Sequence, residues 1–492
     1  MTISYHKLWK ILVERKIKKM DLKEITGIGS STLAKLSRDQ PVAMEVIIKI
    51  CSYLGCNVGD VMDIVPEKAD DIARAYARIL EEELIASLGC TEPSSIALVA
   101  AKARAALGAL PERCVVEVSG NIIKNARSVI VPNTGGMKGI KAAAASGIIA
   151  GRPDAGLEAL DAVTELDIEK ISGYLGDHLI EIVHSENPEP LYVAITVFSG
   201  GESARVVLQG DHLGITLIEK NGSPIFAHEA GSQEAEAAEL SLLSIGNIVE
   251  YAQNADIERV KPLIRRQIDY NYAISREGLG GDWGANIGKA MVNAFGNDAK
   301  VRAAAAAAAG SDARMGGCDM PVIIVSGSGN QGITASVPII EFAAELGCSE
   351  DRLIRAVALS DLVTIQQKTG IGRLSAFCGV VSAACGAGAG IAFLLGGGYD
   401  VIAHTIVNTL AVISGMVCDG AKPSCAAKIA VAVHTAMLGY SMYVNDNMQF
   451  RSGDGIVRKG VDNTIENVGR IASLGMRETD REILRAMTEY DS

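Results

Sequence analysis

Cysteines are the residues of this chain whose type and setting point most directly to chemistry. The sequence has ten of them in 492 residues, which is too few for a disulfide scaffold of that size. In a reducing compartment such cysteines are expected to be free thiols, metal ligands or catalytic groups. The residues around each cysteine decide which of these roles it suits.

Cys418 and Cys425 lie seven residues apart in "GMVCDGAKPSCAAKI". On one continuous helix they would be separated by about 10.5 Å, too far to share a small metal centre comfortably. Gly420 and Pro423 forbid such a helix, so we expect one helix to end near Asp419 and another to start near Pro423. That corner would bring both sulfurs together and place Cys425 at a positive helix end, which favours the thiolate.

A third soft ligand is available in "GRLSAFCGVVSAACG", where Cys378 and Cys385 are also seven residues apart. Three thiolates without a histidine cluster suit an iron-sulfur cluster better than a hard cation. Zinc is an alternative, although the chain has no C-x-x-C pair to favour a structural zinc site. The other alternative is that these cysteines are small buried residues of the core.

Cys90 lies in "ASLGCTEPSSIALVAAKARAAL", residues 86–107. Gly89 ends one helix, Thr91 can cap the next, and Pro93 fits its first turn. Because Cys90 then precedes a positive helix terminus, we expect the pKa of its thiol to be lowered. The thiolate would act as a nucleophile, a base or a ligand, unless the cysteine is simply packed in the core.

The stretch "PVIIVSGSGNQGITASVPIIEF" contains a G-x-G-x-x-G pattern at Gly327, Gly329 and Gly332. A dinucleotide site would also need a second strand with an acidic residue about 20 residues further on. The residues there, "SEDRLIRAVALSDLVTIQQKTG", have the pattern of a helix. We therefore predict a glycine-rich turn whose backbone N–H groups bind a carboxylate, with Asn330 and Gln331 as additional polar groups.

The elements that would position these residues begin after an N-terminal module of short helices. The stretch "MDLKEITGIGSSTLAKLSRDQPVAMEVIIKICSYLGCNVGDVMDI" resembles the DNA-binding domain of the Cro/C1 repressor family. The resemblance implies a helix-turn-helix domain over residues 1–66, whose third helix enters the major groove of DNA. The residues that would then face bases and phosphates are Ser30, Ser31, Thr32, Lys35 and Arg38.

The charge of this module agrees with a DNA partner. Residues 1–40 hold 9 Lys and Arg against 4 Asp and Glu, although the whole chain has a net charge of -12. A palindromic operator would require at least a dimer, so we expect a homo-oligomer. The alternative is a helical module that serves oligomerisation or binds a protein. Its predicted core consists of Leu22, Ile25, Leu33, Leu36, Ile47 and Ile50.

The rest of the chain predicts an α+β protein. Residues 67–112 are expected to be helical, and residues 113–230 to form an inserted α/β domain with a mostly antiparallel sheet, because β-branched and alternating runs recur there between turns. Residues 231–492 are rich in Ala and Gly, which suits a compact helical bundle that carries the catalytic site.

Membrane insertion and secretion are not expected. The segment "LSAFCGVVSAACGAGAGIAFLLGGGY" at 374–399 is uncharged and long enough to span a bilayer, but it is Gly/Ala-rich and lacks flanking aromatic residues. We predict close-packed helices there instead. No apolar run follows the basic residues near the N-terminus, so we expect a cytoplasmic protein without a signal peptide.

Six ordered motifs carry a resemblance over roughly residues 70–490: "GCTEPSSIALVAAKA", "VEVSGNIIKNA", "PNTGGMKG", "GSGNQGITASVP", "IGRLSAFCG" and "CDGAKPSCAAKIA". Together they resemble the L-cysteine desulfidase family, relatives of the iron-sulfur L-serine dehydratases. The resemblance implies a 4Fe-4S cluster held by Cys378, Cys418 and Cys425, with Cys90 as the proton acceptor. Placing the first ligand at Cys378 rather than Cys385 depends on the match to "RLSAFCG".

The same resemblance implies an α,β-elimination that converts L-cysteine to pyruvate, ammonia and hydrogen sulfide. L-Serine, which would give pyruvate and ammonia, is an alternative substrate, and a non-catalytic regulator that senses an amino acid or the redox state of a cluster is the rival interpretation. No pyridoxal phosphate is required. The motif residues that could bind the substrate's charged groups are Asn121, Lys124, Asn125, Asn133, Thr134, Asn330 and Gln331, unless they are turn or capping residues.

Overall fold

The structure is a computed structural model that describes residues 2–37, 40–65, 69–228, 239–453 and 455–489. The chain divides into two compact units, Met1–Arg74 and Ala75–Ser492. The predicted α+β class is confirmed, with an N-terminal helix-turn-helix and a largely helical body that also holds a mostly antiparallel sheet. The expected domain boundaries at 66/67 and 230/231 fall in segments that lie outside the described residues.

The first unit consists of five short helices and a two-stranded antiparallel sheet. The strands are β1 (Thr2–Ser4) and β2 (Asp63–Val65). The helices are α1 (His6–Glu14), α2 (Lys19–Thr26), α3 (Ser30–Ser37), α4 (Met44–Leu54) and α5 (Val58–Val61).

The turn between α2 and α3 forms the helix-turn-helix. Gly27 ends α2 with φ of 66°, a left-handed conformation that glycine adopts without steric cost. Leu22 and Leu36 from the two helices are fully buried in the core of the unit. The prediction that Ile25 belongs to this core is wrong: its side chain is 56% exposed, because the short α2 buries only Leu22.

The second unit contains a six-stranded mixed sheet in the order β5-β4-β6-β7-β8-β9. Its strands β4 and β5 pair in parallel, and its other neighbouring strands pair antiparallel. The strands are β4 (Arg113–Val118), β5 (Leu179–His184), β6 (Tyr192–Ser199), β7 (Glu202–Gln209), β8 (Ile215–Lys220) and β9 (Ser223–Ala227). A separate two-stranded antiparallel sheet joins β3 (Ala86–Leu88) to β10 (Pro321–Ile323).

Helices on either side of β4 in the sequence cover the sheet. Alanine, valine and isoleucine side chains of α7 and α9 share one buried core with β4, β6 and β7. The helix α6 (Ala69–Glu83) begins in the first unit and ends in the second. The other helices of this part of the second unit are α7 (Thr91–Leu107), α8 (Gly120–Ala126), α9 (Gly139–Ala150) and α10 (Glu165–Asp177), with a 3-10 turn at Gly156–Glu158.

The remaining helices form a bundle built on small residues. Its helices are α11 (Ile245–Asn254), α12 (Lys261–Gly280), α13 (Ile287–Phe295), α14 (Ala299–Met315), α15 (Gly329–Leu346), α16 (Glu350–Ile371), α17 (Val380–Leu394), α18 (Tyr399–Ile413), α19 (Ser424–Asp446), α20 (Val461–Arg470) and α21 (Arg477–Glu489), with a π turn at Ile471–Gly475. Close approach explains the Ala and Gly content: a Cβ on Gly278 of α12 would overlap the carbonyl oxygen of Ala309 in α14.

The uncharged stretch at 374–399 lies inside this bundle. It forms α17, of whose 15 residues 14 are buried, preceded by a loop and followed by a glycine turn. Within the described ranges, one helix, α19, has the length and apolar character that crossing a membrane would require, and half of its most apolar window is buried inside the protein. A core helix of a folded unit passes the same test.

Candidate active site

Most of the predicted motifs meet at one small cavity in the second unit. The cavity has a volume of about 90 Å³, well below the roughly 300–1,000 Å³ of sites for drug-sized ligands. Its occupant must therefore be small. The lining residues are Cys90, Thr91, Glu92, Asn125, Arg314, Gly327, Ser328, Asn330, Gln331, Lys368, Arg373, Leu374, Ser375, Phe377, Cys378, Gly379, Val380, Cys418, Gly420, Ala421 and Cys425.

Cys90 occupies the N-cap position of α7, which begins at Thr91. Gly89 joins it to the strand β3, not to the end of a helix as we expected. The Cys90 side chain is buried against Val129 and Met315. Burial raises the pKa of the Cys90 thiol to about 12, and the nearby Arg314 guanidinium opposes that rise only in part. The expectation of a lowered pKa at this helix start is therefore wrong, because desolvation outweighs the field of the helix terminus.

Cys378 and Cys418 lie side by side because their segments pair. The Cys378 N–H donates to Met416 O (3.0 Å), and the Cys418 N–H donates to Ala376 O (2.7 Å). The Cys378 thiol donates a hydrogen bond to the Cys418 sulfur, which is the main reason that the pKa of Cys418 is lowered to about 6. The same bond raises the pKa of Cys378.

Cys425 reaches the cavity from the start of α19. The preceding helix ends at Ile413, six residues earlier than the expected end near Asp419, and α19 starts at Ser424, next to Pro423 as expected. The Cys425 thiol lies 3.7 Å from Gly420 O, and burial raises the pKa of this thiol. The helix end therefore does not give the lowered pKa that we expected for Cys425.

The loop before α19 is held in place by charge and by close packing. Asp419 accepts hydrogen bonds from Lys422 (2.8 Å) and Lys428 (2.5 Å). Gly420 has φ of 98°, and a Cβ there would overlap the carbonyl oxygen of Lys124. Only glycine fits this turn, which places Cys418 and Cys425 at the same cavity.

The predicted ligands of an iron-sulfur cluster are Cys378, Cys418 and Cys425, which we call the thiol set. Their arrangement can be compared with what such a cluster requires. In the described part of the chain, no three His, Cys, Asp or Glu side chains are grouped to hold a single metal ion. A cluster differs because each thiolate binds a separate iron. Three thiols on one cavity, with no histidine or second type of ligand among them, are the donor set that such a cluster uses.

Cys385, the alternative first ligand, lies elsewhere. It is fully buried in α17 and is not among the residues that line the cavity. Burial raises the pKa of its thiol to about 12. The structure thus brings Cys378, and not Cys385, to the other two thiols.

The predicted substrate-binding residues divide into two groups. Asn125, Asn330 and Gln331 line the cavity. Asn330 and Gln331 lie in the first turn of α15, after a turn in which Ser326 and Gly327 have positive φ. The strand before them, β10, belongs to a two-stranded antiparallel sheet, so the glycine pattern does not form a dinucleotide fold.

The other four predicted residues make contacts away from the cavity lining. Lys124 and Asn121 donate to the two carboxylate oxygens of Asp480 on α21, at 2.5 and 2.7 Å. The Asn133 side chain donates to Leu160 O (2.9 Å), and the Thr134 hydroxyl donates to Val131 O (2.8 Å). In the structure these side chains hold turns and helices together.

Three buried charges at the cavity were missed by the sequence analysis: Glu92, Arg314 and Lys368, the charged set from here on. Arg314 Nε donates to Gly89 O (3.0 Å), and its Nη1 donates to Asn330 Oδ1 (3.2 Å). Burial lowers the pKa of Lys368 to about 8. Glu92 stands in the "GCTEP" motif and could have been noticed there, whereas nothing in the sequence near Arg314 or Lys368 marks them.

The residues predicted to contact DNA lie on α3 of the first unit, except Arg38. Ser30, Ser31 and Lys35 are exposed, and Thr32 is half-buried. Arg38 lies outside the described residues.

Comparison with known proteins gives two family matches. Residues 154–485 match the family described as "Serine dehydratase alpha chain". Residues 7–67 match the "Cro/C1-type HTH DNA-binding domain". The crystal structure of the transcriptional regulator VanUg, Form II, is 44% identical and covers 13% of this chain and 88% of that chain, with a TM-score of 0.13.

Relatives with the name UPF0597 protein match most of the chain. The protein of Desulfitobacterium hafniense (strain Y51) is 54% identical over 424 residues, 86% of this chain and 98% of the relative. Those of Lachnoclostridium phytofermentans and Treponema denticola are 48% and 43% identical and cover 83% and 84% of this chain and 98% and 97% of the relatives. The match to 154–485 spans more than half of the sequence, so the chain belongs to the serine dehydratase alpha chain family.

Proposed function

We propose that this chain catalyses the α,β-elimination of L-cysteine to pyruvate, ammonia and hydrogen sulfide. The observation that carries the proposal is the meeting of Cys90 and the thiol set at one small cavity. Membership of the serine dehydratase alpha chain family supports a lyase that acts on a small amino acid. L-Serine is the second candidate substrate, and the family match is what favours it.

The thiol set would hold a 4Fe-4S cluster through its three sulfurs. When bound, such a cluster supplies an open iron site, a Lewis acid that makes the β-thiol or β-hydroxyl a better leaving group. The paired backbone of the Cys378 and Cys418 segments and the Gly420 turn hold these ligands in position before any cluster arrives.

The protein's own groups would bind the substrate and move its α-proton. Cys90 would accept that proton as a thiolate, a form that burial disfavours and that the adjacent Arg314 guanidinium favours. Asn125, Asn330 and Gln331 orient the substrate, and the buried cations Arg314 and Lys368 face its carboxylate. Gln331 Oε1 has no hydrogen-bond partner among the described residues, so it is available to a ligand. The elimination leaves an enamine, which then tautomerises and reacts with water to give pyruvate and ammonia.

The test is anaerobic purification of the full chain, followed by assay of pyruvate and sulfide from L-cysteine and of pyruvate from L-serine. We expect equal amounts of pyruvate and sulfide, with a larger kcat/KM for cysteine. A larger kcat/KM for serine would make the protein a serine dehydratase. Turnover of neither amino acid by iron-loaded protein would favour a non-catalytic sensor.

The first unit is proposed to bind DNA, so that the enzyme also acts as a regulator. The match to a Cro/C1-type domain and the exposure of Ser30, Ser31 and Lys35 on one helix support this. Footprinting on upstream DNA should show a protected palindrome, which a dimer would occupy. Lys35→Ala should weaken binding and reduce the salt dependence by about one counterion, whereas Lys49→Ala on α4 should change little. Protection only at non-specific concentrations would contradict this role.

A further inference from the structure

The buried carboxylate of Glu92 lines the cavity and has no assigned role in the proposed elimination reaction. Glu92 is 7% exposed and is the second residue of α7, two positions after Cys90. Its Oε1 accepts a hydrogen bond from Asn125 Nδ2 (2.9 Å), and its Oε2 accepts one from the Thr91 hydroxyl (3.0 Å). Both partners are neutral, so neither of them balances the charge of the carboxylate.

The surroundings of Glu92 favour its carboxylate form. Burial alone would raise its pKa, but the His212 imidazole, a backbone N–H and the Arg314 guanidinium outweigh burial and lower the pKa to about 2. A buried negative charge is stabilised only when cationic or hydrogen-bonding partners surround it. The nearest basic side chain is His212, whose Nε2 lies 3.8 Å from Glu92 Oε1, beyond hydrogen-bonding distance.

The charges around the cavity have a simple pattern. Among its described lining residues Glu92 is the one carboxylate, and the other charged residues, Arg314, Lys368 and Arg373, are basic. Arg373 is already paired with Glu83 (2.6 Å) and Asp211 (3.0 Å). A ligand that carries one ammonium and one carboxylate on the same carbon would place its ammonium near Glu92 and its carboxylate near Arg314 and Lys368, and an α-amino acid is such a ligand.

We propose that Glu92 binds the α-ammonium group of the substrate and that His212 is a positioning residue for Glu92. The inference rests on the proposed function, since it assigns the amino group of the same substrate. The order along the chain supports it: Cys90 and Glu92 are held at one helix start, so one residue can face the α-hydrogen while the other faces the ammonium on the same carbon.

His212 is in a position to hold the Glu92 side chain in place. It lies between β7 and β8 of the sheet, is 2% exposed, and neither ring nitrogen has a hydrogen-bond partner among the described residues. Its carbonyl oxygen accepts a hydrogen bond from Ser95 of α7 (2.9 Å). Its ring lies against Gly327, where a Cβ would come within 2.7 Å of it. The ring is thus confined between α7 and the turn before α15.

The test compares two ligands that cannot be turned over. L-Alanine keeps the ammonium and carboxylate but has no leaving group, and propionate also lacks the ammonium. Binding is measured by anaerobic calorimetry on the iron-loaded full chain. Glu92→Gln should weaken L-alanine about 10- to 100-fold, the range for losing a charged hydrogen-bond partner, and leave propionate unchanged. Glu341→Gln, a buried carboxylate outside the cavity, should affect neither ligand.

Equal affinities of the Glu92→Gln variant and the wild type for L-alanine would overturn the proposal. If that variant does not fold, Glu92→Asp decides: a reduced preference for L-alanine over propionate supports the role, and an unchanged preference refutes it. His212→Asn should reduce the same preference, whereas a purely structural role would weaken both ligands equally. These binding results do not require turnover, so failure of the elimination reaction would be seen separately, in the pyruvate and sulfide assay.

Discussion

The thiol set and the charged set line the same cavity but differ in how the fold builds them. Cys378, Cys418 and Cys425 come from two short segments that pair through backbone hydrogen bonds and a glycine turn. Glu92, Arg314 and Lys368 come from three long helices, α7, α14 and α16, that are far apart in sequence. The thiols depend on local loop geometry, whereas the charges depend on how the whole bundle packs. Substitutions in the two sets should therefore have different effects on bound iron, turnover and stability.

The largest effect should follow from removing a member of the thiol set. Cys418→Ala is expected to lose both bound iron and all measurable turnover, because a cluster with two protein ligands is not retained. Iron content and visible absorbance after anaerobic purification measure this. Cys385→Ala, a buried cysteine outside the cavity, should keep both. Loss of iron in the Cys385 variant, with retention in the Cys418 variant, would reverse the assignment of the ligands.

A smaller but still large effect should separate Cys90 from the thiol set. Cys90→Ala is expected to keep its iron and to lose turnover by about 10²- to 10⁴-fold, the range for loss of a general base. The comparison needs iron content and kcat on the same preparation. If this variant is iron-free, Cys90 is a ligand and belongs with the other three thiols.

Asp480→Asn tests whether Lys124 belongs with the charged set. The Lys124 side chain is 1% exposed and its ammonium lies 2.5 Å from Asp480, so neutralising Asp480 leaves a buried cation without its partner. We expect stability to fall by about 1 to 3 kcal/mol, seen as a lower Tm, with KM unchanged. Glu478→Gln on the same helix, an exposed residue, should alter neither. A tenfold change in KM would move Lys124 into the substrate site.

The smallest effect on turnover concerns a buried acid outside both sets, which should influence stability instead. Asp361 accepts a hydrogen bond from Gln267 (2.9 Å), and burial raises its pKa to about 8. An unfolded Asp titrates near pH 4, so between about pH 4 and pH 8 the unfolded chain releases a proton that the folded chain keeps. Stability from this residue is therefore present below that window and is lost as the pH rises through it.

Asp361→Asn removes this dependence because an amide does not titrate. Between pH 5 and pH 8 the Tm of the wild type should fall by more than that of the variant. Asp269→Asn, which replaces an exposed carboxylate on α12, should follow the wild type. Parallel Tm curves for the wild type and Asp361→Asn would show that Asp361 is not held neutral.

The thiol set also shows what the sequence could predict. The motifs "CDGAKPSC" and "GCTEP" place cysteines at helix starts, which made them candidates for chemistry, and three of the four cysteines that line the cavity lie in these two motifs. The strands of the sheet are also predictable, because alternating runs between turns are a local signal. The pKa values of the cysteines are not, since helix-end arguments for Cys90 and Cys425 ignore the desolvation that dominates in a buried cavity.

Arg314, Lys368 and His212 could not be predicted from the sequence, for a different reason. No local sequence pattern marks any of them as a site residue, and only tertiary packing buries them there. Conversely, Asn121 and Lys124 lie in a motif but face Asp480, which is 359 and 356 residues further along the chain. A contact of that sequence separation has no local signal.

The measurement that tests the account most directly is the iron and acid-labile sulfide content of the anaerobically purified full chain, taken together with its activity on L-cysteine. We predict about four irons and four sulfides per chain, with activity that disappears when oxygen destroys the cluster. A preparation free of iron that converts cysteine to pyruvate at an undiminished rate would contradict the account.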